Sequence, residues 1–159
     1  MQPGFQQFLI SELEQLRSLY VASTPRQRAH VSKQRLANAH ANPNRIVTHV
    51  SAVEALARSL AMHSHAKSKA ELKAIYPRFR TWEAHNLVAE CFMRRLGKKP
   101  AEVLGRETWS TFRLAVNYRN LLVHECTYLN NEKFEPLFEA CAVVFAELEA
   151  IAEGRKRVA

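Results

Sequence analysis

Arg119, Asn120 and His124 stand in the run Tyr118-Arg119-Asn120-Leu121-Leu122-Val123-His124-Glu125. These residue types suit chemistry on a phosphodiester. A histidine that titrates near neutral pH can take the proton from a ribose 2′-OH. The resulting alkoxide can attack the adjacent phosphate, and an arginine fork can bind the phosphate oxygens and offset the charge that builds there. An asparagine can orient the imidazole or hydrogen-bond a phosphate. With Trp109 as zero on a helical wheel, Phe112, Val116 and Val123 fall at about −60°, −20° and −40°. Arg119 falls at about −80°, on the edge of that apolar stripe, while Asn120 at about +20° lies well inside it and His124 follows at about +60°. An unpaired guanidinium is prohibitive to bury, so Arg119 requires a partner, an interface or a groove. The three groups can converge where this helix ends.

A purely structural use of Arg119 is an ion pair with a buried acid, and Glu54 is the candidate. It stands in Ala52-Val53-Glu54-Ala55-Leu56, at the border of another apolar stripe. Other polar groups carry weaker signals. His63 and His65 are spaced like a metal fragment but adjoin a basic stretch without paired carboxylates, so no metal site is expected. His49 and His85 read as helix-surface or interface residues. Trp82 and Trp109 read as core or dimer anchors rather than base-stacking platforms. The spacing builds no Ser-His-Asp or Cys-His arrangement, although Cys126 is two residues from His124. The three cysteines, Cys91, Cys126 and Cys141, form no CxxC pair, which argues against a disulfide framework or a zinc ribbon. Cys91 and Cys141 fall on apolar faces and read as core residues. A reducing cytoplasm is the expected location.

The elements that must position these groups are helices. Phe134, Leu137, Phe138, Cys141, Phe145, Leu148 and Ala152 share one stripe and predict a helix over ~134–153, with Pro136 in its first turn and Gly154 as its stop. Ile46, Val50, Val53, Ala57 and Leu60 predict another over ~44–63. Ala84, Leu87, Val88, Cys91 and Phe92 predict a third that ends near Gly97, and the Trp109 stripe a fourth over ~106–124. Phe5, Leu9, Leu13, Leu16 and Tyr20 suggest a fifth near the N-terminus. Thr24-Pro25 resembles an N-cap with proline at the first helical position, but residues 26–43 are polar all round, so a helix there is expected to be exposed or to bend over a surface. Ser68 to Tyr76 reads as a short connecting helix that ends before Pro77. The expected architecture is an all-α bundle of four or five main helices. It forms one domain, in which residues 1–43 are an N-terminal helix and basic polar extension and residues 44–155 the bundle.

Composition sets the outer limits. The 159 residues fit one core, and 47% hydrophobic with 24% charged residues is ordinary globular usage. Four glycines and six prolines leave no glycine-rich nucleotide cradle and too few turns for a small β-barrel. The longest apolar run, Ala140 to Ala146, is far short of the ~20 residues of a membrane span. Glu12 and Glu14 sit where a signal peptide would be apolar. The formal charge is +8 and its surplus is uneven. Residues 23–43 hold Arg26, Arg28, Lys33 and Arg35 without an acid, and residues 63–80 and 94–106 are each as basic on balance. Basic segments between apolar helices suggest an anionic partner, with RNA first among them and Arg26, Arg28, Lys33 and Arg35 as its contacts.

An Arg-Asn-x-x-x-His string after an amphipathic helix resembles the signature of the HEPN superfamily. The setting is similar too: a small all-α chain with the motif on the penultimate long helix, over roughly residues 44–153. The resemblance implies a helical bundle that often dimerises and, in many members, a ribonuclease that uses no metal or other cofactor. It maps the family's arginine, polar residue and histidine onto Arg119, Asn120 and His124. It further implies a homodimer that doubles the site, a toxin or defence role and a cognate antitoxin protein as partner. One subgroup carries His-x-Tyr with a modifiable tyrosine; here Cys126 occupies that place and the tyrosine comes at Tyr128, which departs from that pattern. The competing expectation is a non-catalytic helical module that binds RNA or a protein.

Overall fold

The computed structural model describes residues 18–37, 45–124 and 135–154. A helical turn over 18–22 leads into seven helices: α1 (Pro25–Ala37), α2 (Arg45–His65), α3 (Lys69–Arg80), α4 (Ala84–Leu96), α5 (Pro100–Leu104), α6 (Arg106–His124) and α7 (Glu135–Ala152). The fold is all-α, and no strand occurs among the described residues.

The bundle is built around α2. Its ten buried residues are distributed round much of the helix, and the small ones (Ala52, Ala57, Ser59 and Ala61) let neighbours approach closely. α1, α3, α4, α6 and α7 all pack on it. The closeness of α4 shows at Cys91, whose thiol donates to the Ala57 carbonyl at 3.0 Å. α7 packs against α2 and α6 and buries Leu137, Phe138, Cys141, Phe145 and Leu148, as its sequence stripe predicts, with Ala140 and Val144 beside them. The four long helices therefore lie where the 3.6-residue period puts them. Of the expected N-terminal helix only Tyr20 falls among the described residues; Phe5, Leu9, Leu13 and Leu16 lie outside them.

Three local features differ from expectation. α1 begins as predicted, with a reciprocal cap: the Gln27 N–H donates to Thr24 Oγ1 at 3.2 Å and the Thr24 N–H to Gln27 Oε1 at 2.9 Å. Yet α1 is not exposed all round. Ala29 and Ser32 are buried, and Lys33 reaches Glu149 on α7 at 2.8 Å. Val21 and Ala29 belong to the same core cluster as α2, so position 44 is not a packing boundary.

α3 continues through Pro77 to Arg80 instead of stopping before it. Ser68 and Glu71 form a capping box at its start. Proline removes one hydrogen bond from such a helix, but the next turn carries Phe79, which is fully buried against His65 and Trp82. Burying a phenylalanine is worth about 1.5–3 kcal/mol, enough to set against most of the ~3 kcal/mol cost of an interior proline.

α5 has five residues and no period to read. Pro100 opens it, the Lys99 N–H donates to the Glu102 carboxylate at 2.5 Å, and Val103 plugs it into the core. Gly105 then turns the chain into α6 at φ 84°, ψ 152°, a conformation essentially reserved for glycine. A Cβ there would meet nothing within 4 Å, so replacement costs backbone strain alone. Gly105→Ala is expected to lower stability by ~1–3 kcal/mol in a denaturant titration. A midpoint unchanged from wild type would show that the corner relaxes without cost.

Candidate functional site

α6 carries the three motif residues, and its burial shows how it is turned. Phe112, Ala115 and Val116 are its buried residues, at about −60°, −120° and −20° on the wheel. Val123, expected on the stripe, is 49% exposed at the C-terminal end, and Trp109 is only half-buried, ring-stacked on Phe112 at 5.7 Å. The buried face therefore centres near about −70°, and Arg119 at about −80° lies in its middle rather than on its edge. Asn120 is half-buried on the border and His124 is exposed beyond it.

An arginine in the middle of a core face must be met by an anion, and α2 supplies it. Arg119 Nη2 donates to Glu54 Oε2 at 2.5 Å. The ion pair suggested by the sequence is present, but it has a third member. Arg58, one turn after Glu54 on α2, donates through Nη2 to Glu54 Oε1 and through Nε to the Phe79 carbonyl at 3.1 Å. The three side chains retain 12–19% of their exposure, at the rim of the core. Burial works against the Arg58 charge, but Tyr20 and the Glu54 carboxylate more than offset it and hold its pKa above the ordinary value. Burial likewise pushes the Tyr20 phenol up, and its hydroxyl donates to the Ala55 carbonyl at 2.9 Å.

Two guanidiniums on one carboxylate leave a surplus positive charge. Arg119 Nε is buried and meets no hydrogen-bond partner among the described residues. Arg58 is legible in the spacing Glu54-x-x-x-Arg58, an (i, i+4) ion pair on one helix face. The structure thus joins Arg119 to Glu54. It does not join either to the rest of the motif: among the described residues, no hydrogen bond or ion pair links Asn120 or His124 to Arg119 or Glu54. Nothing that follows His124 up to residue 134, Cys126 and Tyr128 included, lies among the described residues.

No family model matches the chain, and no curated protein and no solved structure matches it significantly.

The four residues assigned to RNA on α1 are placed unequally. Arg26 is exposed. Arg28 lies over the Tyr20 ring at 4.3 Å and donates to Ser23 Oγ at 2.9 Å, and Lys33 is paired with Glu149. The Arg35 side chain lies outside what the structure describes. Four of the other described histidines are engaged locally. Nδ1 of His49 donates to the Arg45 carbonyl and Nδ1 of His63 to the Ser59 carbonyl, each at 2.9 Å. His65 Nε2 donates to Glu90 at 2.8 Å, and His85 lies 3.3 Å from Glu83. No group of three or more metal-ligating side chains occurs among the described residues. Both described cysteines are buried; burial pushes the Cys141 thiol up to about 12 and the Cys91 thiol higher still, so neither is a nucleophile. No described helix is long and apolar enough to cross a membrane.

The cluster makes an ordering testable. Glu54→Ala leaves two rim guanidiniums without an anion and should cost ~3 kcal/mol or more. Arg119→Ala leaves Glu54 still held by Arg58, so it should cost less, about 1.5–3 kcal/mol for one charged hydrogen bond. Equal losses in denaturant titrations, or a larger loss for Arg119→Ala, would remove Arg58 from this account.

Proposed function

We propose that this chain is a ribonuclease of HEPN type that cleaves RNA through its own 2′-OH. The observation that carries the reading is the oriented Arg119. Its guanidinium is fixed by Glu54, bears surplus charge and lies five residues before an exposed His124 that spends no hydrogen bond on the described residues. A guanidinium already held in place needs no reorganisation when charge appears on phosphorus. It lies about 140° round α6 from His124, so one phosphate meets both only past the helix end or across a dimer. In this reading His124 removes the 2′-OH proton, and the 2′-oxygen forms a bond to phosphorus while the bond to the 5′-oxygen breaks. The leaving 5′-oxygen takes a proton from water, and a 2′,3′-cyclic phosphate remains. Asn120, at the border between the two, holds the imidazole or a phosphate oxygen. A homodimer with the motif helices near its axis doubles this sparse site, and an antitoxin protein is the natural restraint on such an activity.

A second reading is favoured by the same ion pair. Arg119 in the middle of a buried face, paired with Glu54, is also what a purely structural residue looks like. The chain is then a non-catalytic helical module for RNA or protein binding.

Purified protein should degrade RNA in the presence of a chelator and leave 2′,3′-cyclic phosphate ends or their hydrolysed products. His124→Ala should lower the rate by ~10²–10⁴-fold, the usual contribution of a general base, with its melting unchanged because the side chain is exposed. A wild-type preparation that leaves RNA intact would favour the binding module, and cleavage that survives His124→Ala would remove His124 from the role of base.

A further inference from the structure

Arg106, Arg113, Asn117 and His124 fall at about +60°, +40°, +80° and +60° on the wheel that places Arg119 at about −80°. They form one stripe along the flank of α6, and all four are exposed. Ser110, at about +100°, is exposed on the same flank. The acid of α6, Glu107, lies at about +160°, well off the stripe. Among the described residues neither Arg106 nor Arg113 forms an ion pair. This sets them apart from Arg28, Lys33, Arg58, Arg94 and Arg119, which are stacked or paired. Lys98 and Lys99, also exposed, lie in the short segment before α5.

We propose that this flank of α6 is a track for the sugar-phosphate backbone of single-stranded RNA, entering at Arg106 and ending at His124. The track rests on the ribonuclease reading for its direction but not for its existence. Charge complementarity selects a polyanion: two arginines, a hydroxyl, an amide and an imidazole follow one another along about 27 Å of one helix, with no carboxylate of α6 between them. A straight row of groups on a convex surface suits a strand that can follow it. Of the α1 residues, Arg28 and Lys33 are already engaged.

The test uses a fluorescent, fully 2′-O-methylated oligonucleotide, which cannot be cleaved by 2′-OH attack, and reads binding by anisotropy across a salt series. Arg106→Gln with Arg113→Gln should reduce the slope of log K against log salt by about 1.4, the share of two phosphate contacts on a single strand. Lys69→Gln with Lys73→Gln, an equal change of charge at exposed positions on α3, should leave the slope as in wild type. The proposal is overturned if the α6 pair leaves the slope unchanged, if both pairs lower it equally, or if wild type binds no strand at all. It is also overturned if a duplex of the same sequence binds as tightly and loses the same slope, or if sedimentation shows that the α6 pair instead breaks a dimer. Cleavage of unmodified RNA is measured separately. Binding with the expected slope but without cleavage upholds the track and ends the nuclease reading; cleavage with no change of slope does the reverse.

Discussion

Glu54 carries one negative charge on the helix that every long neighbour packs against, and two arginines from different directions depend on it. Arg58 shares its helix and ties Glu54 to the end of α3 through the Phe79 carbonyl; Arg119 ties it to α6. Three helices are thereby keyed at one rim point. The Coulomb attraction must outweigh the loss of hydration for all three groups, which partial exposure makes easier than full burial would. Orientation is the gain. An apolar rim would let α6 rotate over α2 with little penalty, whereas a charged hydrogen bond at 2.5 Å fixes which flank of α6 faces outward.

That fixed rotation determines what the surface offers. With Arg119 turned inward, the residues about a third of a turn or more away are turned outward, and these include His124 and the basic flank. The chemistry open to the chain is set by a packing decision made on the opposite side of the helix.

The long helices were readable because several large apolar residues recur on each stripe, as in Ile46, Val50, Val53, Leu60 and in Phe138, Cys141, Phe145, Leu148. Where burial is achieved with small residues the signal fades. α1 buries Ala29 and Ser32, so it looked polar throughout; α6 buries Ala115 and exposes Val123 and Leu114, so its face was read roughly 40° from where it lies. α5 is too short for any period. At Pro77 a local rule met a tertiary contact, and the burial of Phe79 prevailed. The Arg119–Glu54 pair was legible because both residues broke an apolar pattern. Arg58 was missed because an arginine beside a glutamate four residues earlier resembles an ordinary surface pair.

α7 has a further consequence for the order in which the molecule takes shape. α2 and α6 both precede it in the chain, and both pack against it. During synthesis from the N-terminus those faces stay wet until α7 emerges, and Lys33 waits for Glu149 even longer, across more than a hundred residues. The rotation of α6 that Glu54 prefers is thus available early, while the packing that makes it permanent comes last. A nascent chain therefore holds the motif helix loosely until α7 has docked.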